Sequence, residues 1–576
     1  MANDFKNIDF ESTKNSIINY LKNTDEFKDY NYTGSALNVL IDALAYTSTY
    51  MQMYSNFSLN ESFLDTAQKR SSVVSHAKNI GYIPYQYNSA RAKLKLIYRD
   101  IGKPKYDYIP EGTVVTANNG TNTYYFRTRE SYKVEMDKNG IYYAYIDVIE
   151  GTKIKETWVQ DAFYTTKYII SQPKIDTNTL DVIVYPTKYD TIGEKYNKLT
   201  DSSQIGPNEK TYFLQENFNG NIEITFGDNV MAKKLLPGNF ITVEYYSSAG
   251  SDANGIVNFI FSGIPNDSSQ LQLWSVETIE QSYGGGDKQS TEEIRKLAPL
   301  FYQRQNRNVI AQDYLVHLMS NFGSWIESVS VWGGEDNIPP QYGRVFIAVK
   351  PKDSIFLTSI QKNDIIELLK SRMIICITPE IVEAYPIYND LSISVNYDIN
   401  TSYKSEKEIK EMIQNSVEEY YKENVQKLNS SLIYSKLNTI INNIDDSISS
   451  SDIDIKFFVK FSPDSNIKKT YTFQFFNKLS KGSVKIGEWY LLGGAGYGSI
   501  KDDEKGNLHY YINDNLNQEN VGNVDYDSGV ITLNNFKFNV AIGSEIKCYS
   551  EPFSKNNYVE RNALFLLNNM TILVNE

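Results

Sequence analysis

The chain is poor in the residues that do chemistry. Cys376 and Cys548 are the only two cysteines among 576 residues. They lie too far apart for metal-ligand spacing, and a chain of this length buries a core without a disulfide staple. Folding in a reduced, cytosolic compartment is the simpler expectation. The three histidines, His76, His317 and His509, each stand alone. No His-Glu-x-x-His pattern occurs, so nothing in the sequence has the ligand spacing of a hydrolytic zinc site, and there is no G-x-S-x-G nucleophile elbow. Positive charge is in deficit, with 57 Lys and Arg against 70 Asp and Glu and a net charge of -13. That balance argues against a general phosphate-binding surface. No stretch interleaves basic and aromatic residues densely enough for a nucleic-acid groove, and Lys233-Lys234 is an isolated, solvated pair. Long apolar runs are also missing. Met373 to Ile377 falls far short of the roughly 20 residues a bilayer helix needs. The opening Met1-Ala2-Asn3-Asp4 is acidic and no apolar segment follows it, so no targeting segment is expected.

Glycine clusters give no nucleotide loop. Gly284-Gly285-Gly286-Asp287-Lys288 is followed by Gln289 and preceded by Glu280-Gln281-Ser282, whereas a phosphate loop needs a Lys-Ser/Thr pair after an apolar strand. Gly493-Gly494-Ala495-Gly496-Tyr497-Gly498 lacks the dinucleotide spacing and has no helix after it. Asp525-x-Asp527-x-Gly529 has part of a calcium-loop pattern without its central glycine and closing glutamate, and reads as a hairpin turn. The sequence therefore predicts no catalytic residue, no cofactor, no metal, no small-molecule substrate, no nucleic acid and no membrane insertion.

What is present is tyrosine, 45 residues of it. It suits surfaces covered by partners, and equally it fills β-strands. The length suggests about four domains. Residues 1–89 read as helical. Leu37, Leu40, Ile41, Leu44, Ser48 and Met51 recur at helix spacing, and Tyr46, Tyr50, Met53 and Phe57 form a second face of the same helix. A helix with two apolar faces is either sandwiched in a core or shared with another chain. Residues 90–283 alternate as strands, as in Asn221-Ile222-Glu223-Ile224-Thr225-Phe226, with Asn-Gly and Pro-Gly turns between them. Gly284, Gly285 and Gly286 then mark a junction, and the stretch Tyr283 to Asp287 is a candidate joint. Ser290-Thr291-Glu292-Glu293 opens a helix with a capping box. Residues 284–462 follow as strand-helix-strand units, and residues 463–576 are β-rich and rich in turns. The apolar run Ala563 to Val574 must be covered by this chain or a neighbour. The expected fold is multidomain α+β: an N-terminal helical region, a β-rich middle domain, central α+β domains and a C-terminal β domain.

Gly34-Ser35-Ala36 entering the Leu37 helix, Asn60-Glu61-Ser62-Phe63-Leu64-Asp65, and Val73 to Lys78 ending in Gly81-Tyr82-Ile83-Pro84 resemble the T-even-type baseplate wedge proteins of contractile-tailed phages, within the wider baseplate J-like group. Phe226-Gly227-Asp228, Leu236-Pro237-Gly238, Gly284 to Asp287, Thr291 to Arg295, Ala298-Pro299 and Gly343 to Ile347 look like the J-like core. The resemblance covers the final β portion only loosely. It implies a structural subunit, two copies per wedge, that binds other wedge proteins, hub-proximal proteins and sheath-initiating proteins. Such subunits form a ring around the hub and relay its change to sheath contraction. It implies a place in the virion tail baseplate after folding and assembly in the host cytoplasm. The helix faces named above are then the candidate interface, and the three glycines the candidate hinge. The rival readings are a tail-associated receptor-binding or carbohydrate-active β-rich protein, whose carboxylate pair would meet only in space, and a secreted adhesin.

Overall fold

The computed structural model describes residues 9–23, 35–100, 102–120, 122–162, 167–199, 206–265, 267, 272–305, 307–337, 339–370, 372, 374, 377–398, 404–464, 467–494, 496–541 and 543–575. Gly34, Met373, Cys376 and Ala495, used above, lie outside the described residues. The chain divides into two compact units, Met1–Asn306 and Arg307–Glu576. The division falls beyond the glycine triplet.

The first unit begins with three helices: α1 (Phe10–Lys22), α2 (Ala36–Asn60) and α3 (Arg70–Asn79). Two β layers follow. In the first, the strand Arg91–Tyr98 buries every second residue, Ala92, Leu94 and Leu96, as its alternation requires. Its sheet runs in the order 259–263, 114–118, 123–128, 142–150, 91–98 and 274–283. The outer strands approach each other: Ser282 donates its amide to the Ile256 carbonyl at 3.0 Å, and the Thr278 hydroxyl donates to the Val257 carbonyl at 2.6 Å. The sheet thus curls around Phe126, Ile146, Phe261 and Trp274. The second sheet packs Val182, Val184, Ile241, Val243 and Tyr245. The chain crosses between the sheets at Gly151, whose φ of 128° admits no side chain and where a Cβ would press on the Ser247 carbonyl. After the glycines, α4 (Thr291–Arg304) returns to pack on α3. The expected capping box is formed: the Glu293 amide donates to Ser290 Oγ at 3.3 Å, and the Ser290 amide donates to Glu293 Oε2 at 3.0 Å. This return explains why the unit ends after α4.

The second unit opens with α5 (Ala311–Phe322) and α6 (Ser359–Lys370), packed on a three-stranded sheet through Leu318, Ile347, Val349, Ile365 and Leu369. A ten-stranded sheet follows, in the order 468–474, 530–537, 515–525, 507–512, 497–502, 485–490, 546–550, 448–461, 385–397 and 563–575. The sheet takes strands from both sides of the 462/463 position, so that expected boundary does not separate two sheets. Two pairings cross that position: Ile448–Phe461 joins Ile546–Ser550 antiparallel, and the last strand, Ala563–Asn575, pairs in parallel with Tyr385–Tyr397. Its Ala563 and Phe565 enter the core, with Phe565 stacked 5.2 Å from Phe457. α7 (Glu406–Tyr420) and α8 (Tyr434–Asn442) cover this end of the sheet. At the other end Phe461 lies 4.7 Å from Phe473 and 5.5 Å from Phe538, so the far strands roll back against the strand that Phe461 closes.

Candidate functional site

α2 starts where Ser35 Oγ accepts the Asn38 amide at 3.1 Å, a serine N-cap that holds one of the first free amides. Only Asn38, Ile41 and Ala45 of its 25 residues are buried. α1 packs beside it, and Lys14 Nζ meets Asp42 Oδ1 at 2.6 Å. Beyond Ala45 the helix leaves most of its large apolar side chains in water. Tyr46 and Met53 are 67% and 65% exposed, and Leu40, Leu44, Tyr50, Met51, Tyr54 and Leu59 are exposed as well. Burying one such side chain contributes about 1.5–3 kcal/mol, so this surface holds a large unused driving force. Tyr50, Met51, Tyr54, Ser55, Ser58, Leu59 and Ser62 line a shallow groove on it.

Of the eight candidate interface residues, the structure leaves Leu40, Leu44, Tyr46, Tyr50 and Met53 open. It buries Ile41, and it half-covers Leu37 and Phe57. Ile41 is taken because it lies on the stripe of Asn38 and Ala45, the buried face of α2. Phe57 lies under Lys69, whose ammonium sits 4.9 Å from its ring centroid. Val39, Tyr54 and Leu59 belong to the exposed surface and were missed. Tyr54 follows Tyr50 by one helical turn, which was a usable signal.

The far end of α2 is clamped. Glu61 Oε1 accepts the Gln68 amide at 2.8 Å and the Lys69 amide at 3.2 Å, and the His76 ring meets the Glu61 carbonyl at 2.8 Å. His76 is thus a tether. Arg295 Nη2 donates to the Ala67 carbonyl at 2.7 Å, which ties α4 to the segment after α2. Beside it lies a buried ion cluster. Glu216, its side chain only 3% exposed, accepts from Arg70 Nε at 2.9 Å, Arg70 Nη2 at 3.2 Å, Lys288 Nζ at 2.9 Å and Gln86 Nε2 at 3.2 Å. Burial pushes its carboxyl up, but hydrogen bonds and charge from Arg70 and Lys288 outweigh that and hold it below the usual range. Burial also pulls the Lys288 ammonium down against the pull of Glu216, so the doubly held carboxylate is the firmer charge.

The glycine triplet sits against this cluster. The Gly285 amide donates to Asn254 Oδ1 at 2.8 Å and its carbonyl accepts from Asn254 Nδ2 at 2.9 Å. Asn88 and Gly286 exchange amide-carbonyl bonds at 2.9 and 3.1 Å. A Cβ on Gly285 would collide with the Gly250 carbonyl. Gly285 is therefore glycine for close backbone approach, and the segment is pinned inside the first unit. Among the described residues no group of three or more His, Cys, Asp or Glu is placed to hold a metal ion, and no helix is long and apolar enough to cross a membrane.

Three family models match in chain order. They are the baseplate wedge protein gp6-like helical domain over residues 9–82, the baseplate structural protein gp6 C-terminal domain I over 310–382 and its C-terminal domain III over 386–460. Among curated proteins, the chain is 31% identical over 471 residues to baseplate wedge protein gp6 of Enterobacteria phage T4, covering 78% of this chain and 69% of that protein. Among solved structures, a 6-fold symmetrised cryo-EM baseplate of the anti-feeding prophage aligns at 9% identity and a TM-score of 0.30, over 77% of this chain and 86% of that one. The TssK-TssF-TssG baseplate subcomplex of a type VI secretion system aligns at 7% identity and a TM-score of 0.29, over 60% and 96%. At such scores neither likeness bears on the fold. The sequence identity does bear on kinship, and with a helical domain that leaves its apolar surface open, this chain belongs to the family of the baseplate wedge protein gp6.

Proposed function

We infer that the chain is a structural subunit of a phage tail baseplate wedge, placed in the virion tail, whose work is to bind other baseplate proteins. One observation carries this: the open apolar surface of α2, on the domain matched by the family's helical model. A surface of that kind gains free energy only when another chain covers it. The finer reading is that two copies join in each wedge through α2. They then bind wedge, hub-proximal and sheath-initiating partners after folding in the host cytoplasm, and the ring of wedges relays its change to the sheath as bodies turning about joints.

In this reading Gly284–Gly286 is the joint and works as a latch. Turning there has to break the Asn254–Gly285 and Asn88–Gly286 pairs, so the change is held back until a partner favours the released state. Proline at Gly285 and Gly286 is then expected to alter both assembly and contraction. The direct test mixes the purified chain with the other wedge proteins and follows complex formation by sedimentation. Tyr46→Ala with Tyr50→Ala should abolish the complex while the isolated chain stays folded. An unchanged complex would remove α2 from the reading.

A further inference from the structure

The second sheet of the first unit runs in the order 152–159, 240–247, 175–185, 194–198, 211–216, 222–226 and 168–169. Three segments meet at one end of it: the exit of the first strand at Val159, the turn 186–193, and the loop 227–239, which crosses from the sixth strand back to the second. Hydrogen bonds fix the meeting. The Gly238 amide donates to the Gln160 carbonyl at 3.0 Å, Asn239 Nδ2 donates to the Pro186 carbonyl at 3.2 Å, and the Lys233 amide donates to the Glu209 carbonyl at 2.8 Å. Val159, Tyr189, Ile192, Val230, Met231 and Leu236 are all exposed there, Tyr189 at 91%, Ile192 at 85% and Val230 at 73%. From the first strand to the sixth is five strand spacings, about 24 Å.

These apolar side chains are held in water by braced turns. Asp228 Oδ1 accepts the Val230 amide at 2.9 Å and the Met231 amide at 2.8 Å. Asn229 Oδ1 accepts the Lys234 amide at 2.9 Å, and Asp190 Oδ2 accepts the Thr187 amide at 2.8 Å. Ala232 is fully buried with a φ of 65°, in the left-handed region that alanine rarely enters. A Cβ on Gly227 would collide with the Ala232 carbonyl. A loop that only connected two strands would have no need of this conformation, and strain kept in place points to use.

The surroundings say what covers the patch. Exposed charges of both signs ring it, Lys188 and Lys234 beside Asp190, Glu209 and Asp228. An apolar centre with a polar rim is the anatomy of a protein–protein interface, whereas an anionic bilayer is met by clusters of roughly four to eight lysines and arginines. The extent of the patch suits the ~800 Å² that a standard interface takes from each side. Tyr189, Ile192 and Val230 are so exposed that they stand clear of their neighbours as knobs. Two sets of knobs facing each other touch only at points, so the same surface of a second copy would bury little. A hollow encloses them with the complementarity a stable contact needs.

We propose that this end of the sheet is a second docking surface, taken by a protein other than this chain that offers an apolar hollow with a charged rim. The proposal rests on the wedge reading for the class of that partner, another baseplate protein, and its surface is separate from α2.

The test mixes the full chain with each of the other purified wedge proteins of the same tail and follows amide exchange and affinity. One of them should protect residues 186–193 and 227–239. Ile192→Glu with Val230→Glu should weaken that complex at least about tenfold. Its melting temperature should match the parent's, because both side chains already face water. Ile192→Val with Val230→Ile keeps the tip apolar and should bind as the parent does. A complex that protects α2 but leaves this tip unprotected overturns the proposal and leaves the wedge reading standing, whereas no complex with any wedge protein overturns both. The proposal also falls if the glutamate variant binds as the parent does, or melts at a lower temperature. It falls equally if that variant loses only self-association, or only binding to phosphatidylglycerol vesicles.

Discussion

α2 and α7 are both long, apolar-striped helices, and the chain treats them in opposite ways. α7 buries Ile409, Ile413, Val417 and Tyr420, spaced three or four residues apart, and turns Lys407, Glu411, Glu418 and Glu419 to water. Its N-terminal end is finished too: Ser405 Oγ accepts the Glu408 amide at 3.4 Å, and Lys410 pairs with Glu406 at 2.6 Å. α2 has a single charged residue, Asp42, in 25 positions, and Lys14 of α1 already engages it. It has no charged face to give to solvent. One helix is satisfied within its chain; the other leaves its apolar surface open. Mutations in the two should therefore separate stability from assembly.

The largest effect is expected at Glu216, because the unit that leaves α2 open is anchored there. Glu216→Gln leaves the half-buried Arg70 and Lys288 without their counter-charge and should cost about 3–5 kcal/mol in denaturant unfolding of the first unit. The pH dependence follows from the depressed carboxyl. A carboxylate whose folded pKa lies below its unfolded value of 4.5 contributes stability that is complete above that value and is lost as pH falls through the folded one. The parent chain should thus lose stability of its first unit on acidification below that value, and Glu216→Gln should flatten the loss. If the slope is unchanged, the cluster does not hold α3 in place.

Ile413→Ala tests the satisfied helix and should destabilise the second unit by about 2–5 kcal/mol, with assembly through α2 intact in the fraction that remains folded. Gly285→Ala should cost about 1–3 kcal/mol, since its Cβ has to displace the Gly250 backbone. A neutral result would mean that this segment has the slack of an ordinary linker. The smallest stability effect belongs to Tyr46→Ala with Tyr50→Ala, within about 0.5 kcal/mol by thermal melting, alongside the loss of complex formation. A large drop in melting temperature would place these tyrosines in the core and erase the contrast between the helices.

Local signals carried much of this organisation. The capping boxes at Ser290 and Ser405, the alternation of Arg91–Tyr98 and the apolar excess of α2 are properties of neighbouring residues. Spacing and hydrogen-bonding reach decide them before any tertiary contact forms. Which of α2's residues stay open was only partly legible. Periodicity grouped Ile41 with Leu40 and Leu44, and only tertiary packing takes Ile41 and leaves the others.

The sequence by itself determined that this chain has a surplus of apolar surface on α2 and an uncharged strand at 563–575, because both are matters of composition along a single element. Tertiary structure alone decided the rest. It bonded Gly285 and Gly286 into a pinned contact, gathered Arg70, Glu216 and Lys288 from positions far apart in the chain around one buried carboxylate, and carried Ala563–Asn575 back beside Tyr385–Tyr397. Each of those depends on residues that meet only after the chain has closed long loops. No local pattern encodes such meetings, because their free energy appears only when the partners are already in place.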